Sequence, residues 1–265
     1  MDLRNSTRSD IVAPGAGLIL GRRMKGRCAM QVEIWSDVVC PWCYIGKRKF
    51  EAALAEFDHR DEVTVEWRSY ELDPGAPPRR DLPMVELLQK KYSMTEQQAR
   101  AANDRVTGIA AGVGLEYHLD RAAMGNTFDA HRLIHLAAAH GRGDAMKERL
   151  MAAYFTEGAA IGETDTLERL AADVGLDADE VAAALAGDAF AADVRDDERT
   201  AATLGVSGVP FFVIDRAFGV SGAQDPDVLL AALDRAWADT HPGDGPVDAE
   251  SEGGGASCGD EACAV

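Results

Sequence analysis

Two cysteines, Cys40 and Cys43, stand in the spacing C-x-x-C at the point where a β-type pattern gives way to a helical one. Residues 31–37 alternate apolar and polar side chains, as a short strand does, and residues 47–57 place apolar side chains at helical spacing. A second alternating segment covers residues 62–72. The chain is therefore predicted to open with a β-α-β unit that holds both cysteines between its first strand and its helix.

The rest of the sequence divides into a long helical segment and a second segment with β patterns. Residues 83–203 are rich in alanine and show helical periodicity without a fixed repeat. Residues 211–214 form the continuous apolar run of a buried strand, and residues 217–221 predict a short partner strand. Asp225 and Pro226 then mark the start of a last helix, with the aspartate as its N-cap.

Together these elements predict an α/β protein with a thioredoxin-like fold and a large inserted all-α domain. The first part of the thioredoxin-like domain is expected at residues 30–82, the helical insertion at 83–203 and the second part at 204–240. Two strands joined through a helix are expected to be parallel, with a right-handed crossover.

The two ends of the chain differ in composition from the rest. Residues 1–29 contain no complete secretory signal, because a proline and two glycines interrupt their apolar patch, and a disordered extension is predicted there. Residues 241–265 are acidic and glycine-rich, which predicts a flexible tail that cannot bury a core. This tail carries Cys258 and Cys263 in the spacing C-x4-C, whereas Cys28 in the extension is expected to be an unused thiol.

The charge balance limits the classes of partner. The chain of 265 residues has a formal net charge of -18, and an acidic protein is repelled by nucleic-acid backbones and by anionic membrane surfaces. No apolar run approaches the roughly 20 residues that span a bilayer, so we expect neither a nucleic-acid nor a membrane partner. Five cysteines without a secretory signal predict a cytoplasmic protein, in which cysteines are more often catalytic, metal-binding or inert than bridged.

The C-P-W-C sequence has the features of a reactive pair. If the helix begins directly after the strand, Cys40 is its N-cap, Pro41 its first residue and Cys43 its third. The sulfur of Cys40 is then expected to accept hydrogen bonds from the N–H groups of Trp42 and Cys43, which together with the helix dipole favour the thiolate. The two sulfurs lie on one helix face at disulfide distance, with Cys40 as the exposed nucleophile and Cys43 as the buried resolving thiol.

Two other interpretations of the cysteine pair are weaker. Cys40 and Cys43 resemble half of a zinc site, but the second pair, Cys258 and Cys263, lies about 200 residues away in the tail and has a different spacing. Inert cysteines have no need of a strand end, a proline and a helix around them. His131 and a second histidine four residues later also have metal-ligand spacing, yet no third ligand is evident. No metal site is therefore predicted.

Three stretches, SDVVCPWCYIGKRKF, NTFDAHRLIHLA and GVSGVPFFVIDRAFGVSGAQ, resemble a known family. They are similar to the DsbA-like thioredoxin-fold oxidoreductases of the FrnE type, which are related to 2-hydroxychromene-2-carboxylate isomerases and kappa-class glutathione transferases. The resemblance covers residues 30–239 and implies a thioredoxin domain with a helical insertion, in agreement with the pattern above. The isomerases and transferases place serine where this chain has Cys40, so the two intact cysteines favour the redox branch.

The resemblance also implies roles for individual residues. It implies that Val209 and Pro210 are joined by a cis peptide bond facing the cysteines, with the backbone of Val209 free to pair with an extended substrate. It further suggests that His131 lines the cleft. From its position before the cysteines, Asp37 is a candidate proton relay, and Trp42 is expected to pack against substrate.

The sequence thus predicts a thiol–disulfide oxidoreductase that cycles a Cys40–Cys43 disulfide on protein or low-molecular-weight thiols. No metal or organic cofactor is required, glutathione is a candidate thiol partner, and a homodimer agrees with the resemblance. Cys258 and Cys263 are hypothesised to form a second redox pair that relays electrons to the first. Two alternatives stay open: a glutathione-dependent isomerase or transferase acting on an aromatic small molecule, and a non-catalytic, chaperone-like binding module.

Overall fold

A computed structural model describes residues 29–241. The predictions for the N-terminal extension, Cys28 and the cysteine-containing tail lie outside the described residues. Within this range the strands are β1 (Met30–Ser36), β2 (Val63–Ser69), β3 (Phe211–Ile214) and β4 (Phe218–Ser221). The α-helices are α1 (Pro41–Glu56), α2 (Met84–Tyr92), α3 (Glu96–Gly112), α4 (Phe128–Ala139), α5 (Gly143–Ala152), α6 (Thr164–Asp173), α7 (Ala178–Ala186), α8 (Ala191–Thr203) and α9 (Pro226–Thr240).

The four strands form one mixed sheet in the order β2-β1-β3-β4. β1 pairs in parallel with β2 through α1, with Ile34 opposite Trp67, and β3 runs antiparallel to both β1 and β4. Six of the seven residues of the central strand β1 are buried. The prediction of a thioredoxin-like α/β fold is confirmed, and the all-helical segment runs from α2 to α8.

The strand β2 ends earlier than the alternation of its side chains predicts. Its last predicted residues leave the sheet because side chains, rather than a neighbouring strand, satisfy their backbone N–H groups. Beyond Ser69, the last residue paired with β1, the N–H of Glu71 donates to Glu198 at 3.3 Å and the N–H of Leu72 donates to Asp37 at 2.8 Å. This turn away from the sheet brings Leu72 in front of the cysteines.

The last helix, α9, packs on α1 and begins at Pro226 after Asp225, as predicted. Asp225 is the N-cap residue, as predicted, although its side chain makes no cap hydrogen bond. Its carboxylate instead accepts a hydrogen bond from Lys49 of α1 at 2.6 Å. The ion pair holds the two helices together on one face of the sheet.

A continuous apolar core joins the sheet to the helical segment. It includes Val32 and Ile34 of β1 together with Leu133 of α4 and Leu150 of α5, all at most 1 % exposed. Tyr117, in the helical segment, donates its hydroxyl to the carbonyl oxygen of Pro41 at 2.8 Å and so fixes the start of α1. No helix between residues 29 and 241 is both long and apolar enough to cross a membrane.

Candidate active site

Cys40 and Cys43 lie at the first turn of α1, directly behind the end of β1. Cys40 is the N-cap, with the extended backbone angles φ -85° and ψ 114°, and Pro41 is the first helical residue. The N–H of Cys43 donates to the carbonyl oxygen of Cys40 at 3.0 Å, and both cysteines are free thiols. The strand–turn–helix junction therefore places the two side chains side by side at one end of the sheet.

The sulfur of Cys40 does not cap the helix, contrary to the expectation from its position. No side-chain cap hydrogen bond is present at this helix start, and the thiol donates instead to the carbonyl oxygen of Val209 at 3.5 Å. The expectation that Cys40 is exposed is also wrong, since only 5 % of the residue is accessible. The sulfur is turned away from the helix N–H groups because the loop before β3 closes over it.

This loop contains the peptide bond between Val209 and Pro210, which is cis. The N–H of Gly222, after β4, donates to the carbonyl oxygen of Pro210 at 2.8 Å and fixes the loop to the sheet edge. On the other side the proline ring packs against Gly46 of α1, where a Cβ would come within 2.8 Å of the ring. A glycine one turn after the cysteines thus lets the loop approach α1 closely.

Asp37 lies under the cysteines and is completely buried. One carboxylate oxygen accepts from the N–H of Leu72 at 2.8 Å, and the other lies 3.4 Å from Nε2 of His131. Although burial raises the pKa of Asp37, its hydrogen bonds with His131 and Leu72 and the charge of Lys147 lower it further than burial raises it. Burial lowers the pKa of His131, so a neutral imidazole faces an ionised carboxylate.

The placement of His131 corrects the expectation drawn from the resemblance. The ring is 1 % exposed and lies behind Asp37, so it does not line the cleft. The second histidine of the predicted metal-ligand spacing, His135, instead lies 3.1 Å from Asp197. The two histidines therefore have different carboxylate partners.

Lys147 of α5 is a buried cation behind the cysteines, and the sequence pattern did not predict it. It has no exposure to solvent, donates to the carbonyl oxygen of Ser36 at 3.1 Å and lies 5.5 Å from the centre of the Trp67 ring. Burial lowers its pKa to about 8, although the cysteines and Asp37 oppose that shift. The sequence contains one sign of this burial. Lys147 is followed three, four and seven positions later by the apolar residues Leu150, Met151 and Tyr154, and these positions share one helix face.

The electrostatic environment of Cys43 combines these groups. Burial raises the pKa of the Cys43 thiol well above its ordinary value, and a hydrogen bond with the neighbouring sulfur of Cys40 raises it further. The positive charge of Lys147 and the backbone N–H of Asp37 act in the opposite direction. Cys43 is therefore a protonated thiol next to a cation that stabilises its thiolate.

A cavity of about 630 Å³ leads from the surface to Cys40. Its inner end is formed by the cysteine turn and by Val209, and its walls come from α2, α3, the turn after β2 and the segment after α5. Trp42, which stands between the two cysteines, is 41 % exposed and lies on the cavity wall. A molecule that enters this cavity meets the sulfur of Cys40 before that of Cys43.

The comparisons with known proteins agree with this geometry. The sequence model of the DSBA-like thioredoxin domain matches residues 31–234. Protein YwbO of Bacillus subtilis (strain 168) is 29 % identical over 209 residues, which cover 77 % of this chain and 96 % of that protein. The crystal structure of a probable DsbA oxidoreductase from Streptomyces coelicolor is 48 % identical, with a TM-score of 0.77, and the match covers 79 % of this chain and 91 % of that one.

The fold is also shared with a more distant solved structure. The cytosolic disulfide reductase DsbM from Pseudomonas aeruginosa has a TM-score of 0.54 at 22 % identity, over 77 % of this chain and 97 % of that one. The family match spans the strand that precedes the cysteines, the helical segment and most of α9. The chain therefore belongs to the family of DSBA-like thioredoxin domains.

Proposed function

We propose that the protein is a thiol–disulfide oxidoreductase that cycles between a Cys40–Cys43 dithiol and a disulfide. The observation that carries the proposal is the pair of free thiols three residues apart at the inner end of a cavity, where Cys40 lines the cavity and Cys43 lies behind it. Two sulfurs three residues apart at a helix start form a disulfide with little change of the backbone. The reducing cytoplasm is the proposed location, in which a dithiol is readily regenerated.

The reaction consists of two exchanges. The thiolate of Cys40 attacks one sulfur of a substrate disulfide, a mixed disulfide forms, and the other substrate sulfur leaves as a thiolate. Cys43 then attacks the sulfur of Cys40, the mixed disulfide breaks, and the second substrate thiolate leaves. The dithiol has lost two electrons and two protons, and the substrate disulfide has gained the two electrons. The same steps run in reverse when the oxidised protein meets a dithiol.

The second exchange depends on removing a proton from a buried thiol. The raised pKa of Cys43 disfavours this step, so a group that stabilises the thiolate is needed at that moment. The ammonium group of Lys147 supplies a positive charge from behind the cysteines, and the ionised carboxylate of Asp37 holds the turn through its bond to Leu72. Lys147 is therefore proposed to stabilise the thiolate of Cys43, and Asp37 to position the turn that contains Leu72. Only the two cysteines form and break covalent bonds.

The backbone around Pro210 is proposed to hold the substrate. The carbonyl oxygen of Val209, which accepts from the Cys40 thiol, loses that donor once the sulfur is in a mixed disulfide. It is then free to accept from an N–H group of the substrate next to the reacting sulfur. The substrate backbone would then lie between the loop that contains Pro210 and the turn that contains Cys40.

The proposal is tested by titrating the redox state of Cys40 and Cys43 across a series of glutathione potentials, with thiol alkylation and intact mass as the readout. We expect a single two-electron couple, and we expect Cys43→Ser to stop turnover and to accumulate a mixed disulfide on Cys40. Full activity of Cys43→Ser, with a stable glutathione adduct on Cys40, would contradict the proposal and favour a glutathione-dependent isomerase or transferase. Intact partner binding after loss of both cysteines, with no redox couple, would favour a binding module.

The same titration tests the second pair, which stays a prediction. If Cys258 and Cys263 relay electrons, the double substitution Cys258→Ser/Cys263→Ser changes the rate at which the Cys40–Cys43 pair is recycled. An unchanged recycling rate would show that the relay does not operate.

A further inference from the structure

The burial of Cys40 restricts which disulfides reach it. Its sulfur lies at the inner end of the cavity, and only 5 % of the residue is exposed. Attack on a disulfide needs contact between the two sulfurs, so the scissile bond has to enter the cavity. A volume of about 630 Å³ lies within the range of small-molecule sites. A low-molecular-weight disulfide meets this requirement, whereas a disulfide on the flat surface of a folded domain does not.

The rim of the cavity is apolar. The described residues include five large apolar side chains that are strongly exposed, and three of them border this cavity: Trp42 at 41 %, Leu72 at 39 % and Tyr92 at 56 %. Apolar side chains gathered around one opening mark a binding site rather than ordinary surface. Leu87 of α2 and Val106 of α3 continue the apolar wall inwards. The body of the ligand is therefore apolar.

The same rim carries positive charge. Lys91 of α2 and Arg105 of α3 are exposed on the cavity wall, and neither has a carboxylate partner among residues 29–241. The other cation on the wall, Arg80, is neutralised by Asp73 at 2.6 Å. The ammonium group of Lys91 lies 5.8 Å from the centre of the Tyr92 ring. In a chain with a net charge of -18, two cations without a carboxylate partner in the described residues create a local field at this opening that attracts an anion.

We propose that the cavity selects low-molecular-weight thiols and disulfides that carry a carboxylate on an apolar, aromatic body. The sulfur lies at Cys40, the body lies against Trp42 and Tyr92, and the carboxylate faces Lys91 and Arg105. The inference rests on the proposed function and names its substrate class. The chemistry is the two-step exchange given above, in which the substrate disulfide is reduced to two thiols and the protein dithiol becomes a disulfide.

Two aromatic disulfides of different charge test the proposal. 5,5′-Dithiobis(2-nitrobenzoate) carries a carboxylate on each ring, whereas 2,2′-dithiodipyridine is neutral at pH 7.5, and both release a coloured thiol. The reduced full-length chain is used with Cys28, Cys258 and Cys263 replaced by serine, so that only the Cys40–Cys43 pair reacts. The measured quantity is the ratio of the second-order rate constants for the anionic and the neutral disulfide.

Charge reversal on the rim is expected to lower this ratio. We expect Lys91→Glu and Arg105→Glu each to reduce it by roughly tenfold at low ionic strength, since an attraction becomes a repulsion at short range. Lys90→Glu is the matched control: it makes the same change of net charge on the same helix, but Lys90 lines a separate surface cavity between α2 and α3. This control is expected to change the ratio by less than about twofold.

Three outcomes would overturn the proposal. Equal losses with both disulfides would show that the rim charges do not select the anion. A loss in Lys90→Glu as large as in Lys91→Glu would show that net charge, rather than the cavity rim, is responsible. Faster reduction of the disulfides of insulin than of either small disulfide would show that proteins are the preferred substrate. In all three cases the Cys40–Cys43 pair still cycles, whereas the absence of any reaction would reject the proposed function itself.

Discussion

Lys147 has an ammonium group with no access to solvent, and burial lowers its pKa from 10.5 to about 8. The unfolded chain keeps the ordinary value, so between pH 8 and 10.5 the unfolded state binds a proton that the folded state has released. The contribution of Lys147 to the free energy of unfolding is therefore most unfavourable at neutral pH, and it becomes less unfavourable as the pH rises from 8 to 10.5. The buried charge thus lowers the free energy of unfolding at neutral pH, and the same charge lies next to the position where the thiolate of Cys43 forms.

Replacing Lys147 by methionine tests the pH dependence. In a Cys40→Ser/Cys43→Ser background no active-site thiol titrates, and the cysteines no longer raise the pKa of Lys147. The stability of the lysine chain relative to the methionine chain should therefore increase by at least about 3 kcal/mol from pH 7 to 10.5. Urea unfolding at a series of pH values measures the difference. The exposed Lys90, replaced by methionine, is the control and should give a difference independent of pH. A pH-independent difference at Lys147 would show that the lysine stays protonated in the fold.

At the residue scale the sequence specified the reacting groups but not their surroundings. The C-x-x-C spacing after a strand identified Cys40 and Cys43 from local physics alone, and the loop proline came from the resemblance. Lys147 and His131 lie near Asp37 only because α4 and α5 pack on β1, and the spacing of residues along the chain does not predict this packing. The direction of the Cys40 sulfur was likewise decided by a loop about 170 residues away rather than by its own helix.

At the scale of elements, the contact between α1 and the loop before β3 sets the geometry of the cysteines. Gly46 is the point of closest approach, because a Cβ there would lie 2.8 Å from Cγ of Pro210. The proline ring is part of the backbone and cannot rotate away as a long side chain does. A methyl group at this position therefore has to move either the helix or the loop.

Gly46→Ala is expected to destabilise the protein by about 1–3 kcal/mol through this overpacking, despite the better helix propensity of alanine. It should also change the rate at which Cys40 is alkylated, since the Val209 carbonyl moves with the loop. Gly108→Ala, in the interior of α3 with open space around the added methyl, is the matched control and should stabilise by up to about 1 kcal/mol. Equal effects at the two glycines in urea unfolding would refute the steric argument.

The pattern of apolar side chains predicted β1, β3, β4, α1 and α9 closely, whereas it extended β2 to residue 72 instead of Ser69. It did not predict the π-helical stretch Ala153–Glu157 that continues α5. This widened turn places Tyr154 and Phe155 in the core and on the cavity wall. A π-helical turn depends on the packing of neighbouring elements, so a helical pattern in the sequence gives no sign of it.

At the scale of the whole molecule, the helical segment and the thioredoxin-like part share one apolar core. Leu133 in α4 and Leu233 in α9 are both completely buried in it, although they lie on opposite sides of the predicted boundary at residue 203. The change in composition along the sequence set the predicted bounds of the helical segment. It carried no information on whether their core is separate from that of the sheet.

A shared core predicts a single cooperative unfolding unit. Leu133→Ala and Leu233→Ala should each lower the opening free energy of the slowest-exchanging amides by about 2–5 kcal/mol, equally in β1 and in α4. Hydrogen exchange resolved by peptide mass spectrometry measures both elements at once, and the exposed Leu204→Ala serves as the control. Faster exchange in α4 alone after Leu133→Ala would show that the helical segment unfolds as a separate domain.

The contrast between Trp42 and the other tryptophans has a further consequence. Trp35, Trp67 and Trp237 are at most 8 % exposed, whereas Trp42 is 41 % exposed and stands between the two sulfurs. An indole in contact with water emits at longer wavelength than a buried one, and an adjacent disulfide quenches its emission. The long-wavelength edge of the intrinsic fluorescence therefore comes from Trp42, between the cysteines. Its intensity reports whether the sulfurs of Cys40 and Cys43 are joined in a disulfide.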